Sequence, residues 1–448
     1  MGGKILIVAK RITETAERIR ITATNGDITL NSAKSIKYSA KKDIIFGEYE
    51  PQEPKLFKSL EFSLKIKLVG DKTFVPLGIP SFKGKEENQI IKFEVEILKN
   101  PIEEIKLEIF HNGKVIRTLD SKEKHAIGKH YFGWNGFDDN GIYDSTIFTT
   151  GKLQAKVTGT LDGKINVRKT DEFSFEYKEV NWVDTKIDKN AKRIDATLRV
   201  NLKNGEARGT KCTEEIIAPD PIIISECPWD KIPEKDLISG KTPLKSQTKS
   251  FEDLEKLALE GLNYHWGRNQ NHFIAKNVDI NGELYEVYVN AVNTDVNAMD
   301  DVSLIFNTNR KWMRSGNPGT VEDPISFVGN IVSREAICYN VGYIKYSNGW
   351  GYQYANDENL EFEFTSAHEI GHTILKAYGG TFYSYGHKGS VNTVSQSMKS
   401  SAANYPPKGE IDIMPYYPIN PPSNIYNRYA ASKKDVLSLV WLTKITKK

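Results

Sequence analysis

The sequence predicts a multidomain, β-rich chain: an N-terminal β-repeat segment, a β-sandwich, and a C-terminal α+β domain. Three observations predict it. Short period-two runs broken by turn signals recur at the start, and longer alternating runs around an Asn-Gly hairpin come after them. Beyond residue 250, helical spacing alternates with strand-like runs. A length of 448 residues suits several domains at roughly 100–200 residues each.

Residues 1–50 contain "GKILIVAKRI", "ERIRITATNGDITL" and "KSIKYSAKKDIIFG", each alternating apolar and polar residues, with Asn25-Gly26 as a turn. Fifty such residues bury little alone, so the segment is expected to need a partner, either copies of itself in a trimer or another β-structure. These repeats resemble the β-domain that ends type VI secretion spike proteins, the valine-glycine-repeat family. The resemblance implies carriage on a secretion spike.

After "YEPQEPK", residues 55–178 carry "FSLKIKLVG", "IIKFEVEIL", "EIKLEIFHNGKVIRTL" and "GKLQAKVTG", the pattern of a β-sandwich, with a hairpin turn at His111-Asn112-Gly113. Within it, "FGWNGFDDNGIYDS" resembles a hairpin of bacterial immunoglobulin-like domains such as that of the flagellar hook cap. The resemblance implies an Ig-like fold with Trp134 as core anchor and Asp138, Asp139, Asn140 and Gly141 as the turn. A plain turn is expected there, with a calcium site as the alternative. Residues 180–249 read as a linker, with a hairpin expected around "RVNLKNGEARG" and prolines interrupting the stretch "APDPIIISECPWDKIPEK".

The C-terminal domain is expected to span residues 250–448. "SFEDLEKLALEGLNYHW" predicts an amphipathic helix capped by Ser250. The strand-like runs "ELYEVYVNAV", "DVSLIFNT" and "AICYNVGYIKY" come next, and then "SAHEIGHTIL". There Ala367, Ile370, Gly371, Ile374, Leu375 and Tyr378 mark one helical stripe, and His368 and His372 share its margin one turn apart. With 8 histidines and 58 acidic residues in the chain, chance supplies roughly 0.02 copies of His-Glu-x-x-His.

Two imidazoles one turn apart can hold one Zn2+, and Glu369 on the next face can take a proton from water at the metal's open position. This element order and motif resemble zincin metallopeptidases, and "IDIMPYYP" adds a metzincin-like methionine turn at Met414. The resemblance implies a zinc endopeptidase with Glu369 as general base and Tyr416, two residues after Met414, as a donor to the oxyanion. The chain departs from the metzincin pattern: Leu375 stands where the motif has glycine and Tyr378 where it has the third histidine. A third metal ligand is therefore sought nearby. His387, in "KAYGGTFYSYGHKGS", is the first candidate; Glu410 and Asp412 are carboxylate alternatives, with Asp357 and Glu358 behind them. The closing "SKKDVLSLVWLTKI" predicts a helix packed behind the site.

Lys+Arg at 61 against Asp+Glu at 58 leaves no basic excess, so nucleic acid is not an expected partner; a protein or peptide substrate is. No run has the roughly 18 apolar residues of a membrane span, and the N-terminus lacks the pattern of a Sec signal peptide. The resemblances to spike-carried modules and to a zinc peptidase together imply a secreted bacterial effector or toxin, expected to leave by a route without such a signal and to be cytoplasmic before export. Cys212 and Cys227 are expected to pair only outside the cytosol. The alternative is a surface binding or adhesive protein with an inactive zincin-like domain.

Overall fold

A computed structural model describes residues 61–217, 222–317, 336–418 and 423–448. The repeat segment 1–50, and the partnering expected of it, lie outside the described residues. Residues Leu60–Lys448 form one compact unit. It is β-rich, with five α-helices among the described residues.

The alternating runs fold as two antiparallel sheets. One orders Ser63–Val69, Ile91–Leu98 and Gly128–Trp134; the other orders Lys114–Ser121, Glu104–His111, Leu153–Leu161 and Lys164–Lys169. Burial follows the two-residue period, since Leu153, Ala155 and Val157 are fully buried while their neighbours are not. Asn112 and Gly113 take φ of 49° and 81°, the left-handed pair that a two-residue hairpin requires. Trp134 is fully buried. Its ring stacks on Phe148 at 5.3 Å and its Nε1–H donates to the Phe137 carbonyl at 2.8 Å.

Residues 180–249 enter the sheet rather than forming a linker, and no hairpin turns within the stretch 199–208, which is one continuous strand. Val183–Asp188 and the 16-residue strand Arg193–Arg208 are antiparallel neighbours in the largest sheet. Arg193–Arg208 runs parallel to Glu283–Asn293 through its first half and to Asp301–Asn307 through its second. Asp301–Asn307 is in turn parallel to Ala336–Asn340. The apparent turn signal Asn204-Gly205 is a bulge: Asn204 Oδ1 accepts from the Glu206 amide at 2.9 Å, and the register shifts between Asn204 and Ala207. Gly205 is required by close approach, because a Cβ there would lie 2.6 Å from Ile305 Cγ1 and 2.8 Å from the Leu304 carbonyl oxygen. Beyond the bulge, a Cys212–Cys227 disulfide closes the hairpin of Thr213–Ile217 and Ile222–Glu226.

Two long helices lie against this sheet. Phe251–His265 starts at Ser250 with a reciprocal capping box, Ser250 Oγ accepting from the Asp253 amide at 3.2 Å and Asp253 Oδ2 from the Ser250 amide at 2.8 Å. The motif helix Ala355–Gly379 carries Asp357 and Glu358 in its first turn and ends where Gly380, at φ 83°, donates to the Lys376 carbonyl at 3.0 Å. Trp441 of the closing helix Lys433–Trp441 packs on Tyr378 at 5.4 Å. Phe82, from the sandwich portion, packs on Tyr378 at 5.6 Å and Tyr383 at 4.5 Å. The last strand, Ile445–Lys447, pairs with Phe175–Tyr177 and Thr73–Phe74. The C-terminal end of the motif helix is thus held by parts of the chain more than 300 residues apart in sequence.

Candidate metal centre

His368, His372 and His387 come together with their ligand atoms within 4.8 Å of one another, and none is more than 5% exposed. The first two sit on the motif helix. His387 arrives by way of the Gly379-Gly380 break and a short helix, Thr381–Tyr385. His387 and Lys388 both take left-handed φ, 46° and 56°, which costs a non-glycine residue on the order of 1 kcal/mol or more. Lys388 is anchored there: Nζ donates to Asp435 at 2.6 Å, to Ser432 Oγ at 3.0 Å and to Asp412. Burial pulls the Lys388 ammonium down, but the two carboxylates outweigh it and hold its pKa above the usual value.

Each imidazole is oriented through Nδ1. His368 Nδ1 donates to the Ile413 carbonyl at 2.8 Å, His372 Nδ1 to Ser384 Oγ at 3.1 Å, and His387 Nδ1 to the Tyr385 carbonyl at 3.1 Å. The proton therefore sits on Nδ1 and leaves Nε2 as a bare lone pair, the arrangement that metal-ligating histidines take from their outer partners. Nε2 of His368 and of His387 are buried with no protein partner. Burial pushes His368 down to about 4 and holds His372 and His387 well below the usual histidine value. Three neutral imidazoles with inward lone pairs fit a metal ion.

The carboxylate alternatives lie elsewhere. Glu410 accepts from the buried Arg268 guanidinium at 2.5 Å, and Asp412 pairs with Lys388 while accepting from the Met414 amide at 3.1 Å. Asp357 and Glu358 belong to the first turn of the motif helix, about 15 Å of helix rise or more from the histidines.

Met414 is fully buried and lies directly beneath the motif. A Cβ on Gly371 would meet Met414 Sδ at 2.8 Å and Trp266 Cζ2 at 2.9 Å, so the helix can approach this methionine only with glycine between its two histidines. The Tyr416 ring lies 3.9 Å from the His387 ring and 5.7 Å from that of His368. Glu369 lines a cavity of about 320 Å³ together with His368, Tyr416 and Arg314. Burial raises the Glu369 carboxyl to about 7, against the pull of Arg314. Burial, with the charge of Glu369, also keeps the Tyr416 phenol above its usual value.

Sequence reasoning missed Ser384 and Arg314. Ser384 is legible only as a lone polar residue in an aromatic turn; Arg314, at Nη2 to Tyr416 hydroxyl 3.5 Å, carries no local signal. What fold and site define together is a β-rich chain with a buried three-histidine centre beside an acid-lined cavity.

No protein-family model matches the chain, and no curated protein matches it. Among solved structures, FlgD from P. aeruginosa aligns over 26% of this chain and 78% of its own, at 16% identity and TM-score 0.17. Two structures of β-glucuronidase from Parabacteroides merdae, one with glycerol in its active site, align over 70% and 68% of this chain at 7% and 6% identity, with TM-scores of 0.18 and 0.17. The alignment spans only 33% and 32% of those enzymes. Superpositions this loose define neither a shared fold nor a shared activity.

Proposed function

We propose that the chain is a zinc-dependent endopeptidase of the zincin class, divergent from metzincins, whose site is His368, His372 and His387 with Glu369 as general base. One observation carries this: the buried, partnerless Nε2 atoms of His368 and His387 face a shared centre beside a glutamate at a cavity wall. Orphaned buried acceptors are rare unless something outside the chain satisfies them.

When bound, zinc would polarise the scissile carbonyl and acidify water. The chain's residues do the rest. Glu369, on the cavity wall beside the histidines, takes the proton of the attacking water and returns it to the departing amine. Tyr416, kept protonated, donates to the oxygen that gains charge, and Arg314 adds a fixed positive charge on the same side. A ligand set of three histidines rather than four protein groups leaves one position open, as catalytic rather than structural zinc sites do.

Delivery out of the producing cell as a bacterial effector or toxin, carried by the N-terminal β modules on a type VI-like spike, is the accompanying reading. The Cys212–Cys227 disulfide supports an oxidising destination. No helix among the described residues is long and apolar enough to cross a membrane.

The test is direct. The purified full chain should hold one zinc per molecule by metal analysis and cleave an unfolded protein such as casein. Chelation should stop cleavage and added zinc restore it, and Glu369→Gln should fold, bind zinc and cut at least ~100-fold more slowly. Equal cleavage by the variant would sink the reading; zinc binding without any hydrolysis would favour a surface binding protein.

A further inference from the structure

The cavity beside Glu369 has two chemically different ends. At the metal end stands Arg314, near Tyr416. At the other stands Glu361. Glu361, Phe364, Thr365, His368 and Glu369 all line the cavity, on one face of the motif helix at i, i+3, i+4, i+7 and i+8. Glu361 therefore lies about 12 Å along the helix from Glu369.

The wall between the two ends is aromatic. Phe364 packs on Tyr429 at 4.6 Å, Tyr405 and Tyr429 rings stand 6.3 Å apart, and the Tyr429 hydroxyl donates to the Tyr405 hydroxyl at 2.9 Å. All three line the cavity. Among the described residues no lysine, arginine or histidine pairs with Glu361, whereas the neighbouring carboxylates Glu410 and Asp412 have Arg268 and Lys388. Glu358, one turn before Glu361, is buried. Burial first, then its hydrogen bond to Glu361 and the charge there, lifts Glu358 to about 10. Glu358 thus holds a proton at neutral pH, and Glu361 is the carboxyl that lines the cavity.

We propose that this cavity receives a lysine or arginine side chain flanking the scissile bond, its cationic head paired with Glu361 and its stem laid along Phe364, Tyr405 and Tyr429. The inference rests on the peptidase reading and extends it to substrate class. Aromatic faces attract a partly desolvated cation, and a long apolar stem with a charged tip suits a cavity with apolar walls and a distant carboxylate. A leucine or phenylalanine would cover Glu361 and leave its charge without a partner, which is costly. An acidic side chain would meet repulsion. Arg314 does not cancel Glu361, because it stands at the opposite end and faces Glu369 and Tyr416.

The test uses the zinc-loaded full chain and quenched fluorescent peptides identical except for Lys, Arg, Leu or Glu at each position flanking the cleaved bond. Lysine or arginine peptides should exceed the leucine peptide at least ~10-fold in kcat/KM at one of those positions. Glu361→Gln should bring that ratio close to one, and Glu361→Lys should shift preference to the glutamate peptide, with thermal unfolding confirming that both variants fold. A wild-type enzyme that prefers leucine or glutamate, or a lysine preference that survives Glu361→Gln, overturns the proposal. If no peptide is cut, the hydrolytic reading fails by itself, and fluorescence-polarisation binding of the same peptides decides this one. Lysine-selective binding that Glu361→Gln abolishes supports it, and unselective binding overturns it.

Discussion

Two groups of buried histidines lie within this chain, and the fold treats them in opposite ways. His272, in the loop after the first long helix, has both ring nitrogens occupied: Nδ1 accepts from the Ile274 and Ala275 amides at 3.1 and 3.0 Å, and Nε2 donates to the Tyr429 carbonyl at 3.1 Å. Its neighbour His265 donates from Nδ1 to the same carbonyl at 2.8 Å. In the triad the proton is on Nδ1, as in His265, but Nε2 of His368 and His387 is buried and meets nothing from the chain. Burial is alike in both groups, at 2–5% exposure. Between His272 and the triad the difference lies in unspent hydrogen-bonding capacity, and that, rather than burial or residue type, marks a place for a ligand.

The strongest way to break this comparison is to delete one member from each group. His387→Ala should lower zinc affinity by more than ~100-fold, beyond the ~10–100-fold expected for loss of an orienting partner, as read by competition with a chromophoric chelator. His272→Asn should keep one zinc per folded molecule. If the two variants lose zinc equally, the distinction drawn from partnerless nitrogens is wrong.

A finer test leaves every ligand in place. Ser384 Oγ accepts from His372 Nδ1 and donates to the His372 carbonyl at 2.7 Å, so it fixes both ring and tautomer. Ser384→Ala should cost about 10-fold or more in zinc affinity while the zinc-free protein unfolds within about 1 kcal/mol of wild type. A zinc affinity unchanged within twofold would show that the helix alone orients His372.

How much of this is legible in the sequence depends on the range of the interaction. The capping box at Ser250, the hairpin at Asn112-Gly113 and the motif helix rest on residues three or four apart, and sequence displays such spacings directly. The meeting of His387 with His368 and His372 required only that a short loop fold back, and the glycine pair at 379–380 signals that bend. The parallel pairing of Arg193–Arg208 with Glu283–Asn293 joins segments about ninety residues apart and leaves no local trace. At Asn204-Gly205 the local trace pointed the wrong way, because glycine serves a turn and a close strand contact equally well. Arg314 and Glu361 are invisible for a related reason: what matters is the cavity between them, which segments scattered from residue 312 to residue 429 enclose.

The histidines outside the triad sharpen the comparison through pH. Burial lowers His265 from 6.5 to about 4, so the folded state binds fewer protons than the unfolded chain between those values. The stability this contributes is present above about pH 6.5 and is lost as pH falls toward 4. Between pH 7 and 5 the loss amounts to about 2 kcal/mol. Urea unfolding of His265→Asn should therefore show about 2 kcal/mol less change over that interval than wild type. Identical slopes would mean that His265 is not neutral in the fold.

The smallest expected effect comes from a polar cluster that looks like a site and behaves as a turn. Asp138 Oδ1 accepts from the Asn140 amide at 2.9 Å and the Ile142 amide at 2.8 Å, and Asp139 Oδ1 accepts from the Thr118 amide at 3.1 Å. Arg117 Nη1 donates to the Asp138 carbonyl at 3.2 Å and to Asp139 Oδ1 at 3.3 Å. These oxygens are spent on the chain itself, as the nitrogens of His272 are, and a cation entering here would have to displace backbone donors that close the turn. Asp138→Ala should cost about 1 kcal/mol of stability, the worth of the lost hydrogen bonds near an exposed surface. That cost should be the same in millimolar calcium and in excess chelator. Calcium that raises the melting temperature of wild type but not of the variant would turn this cluster into a metal site, and would show that a fully bonded carboxylate is no guarantee against a ligand.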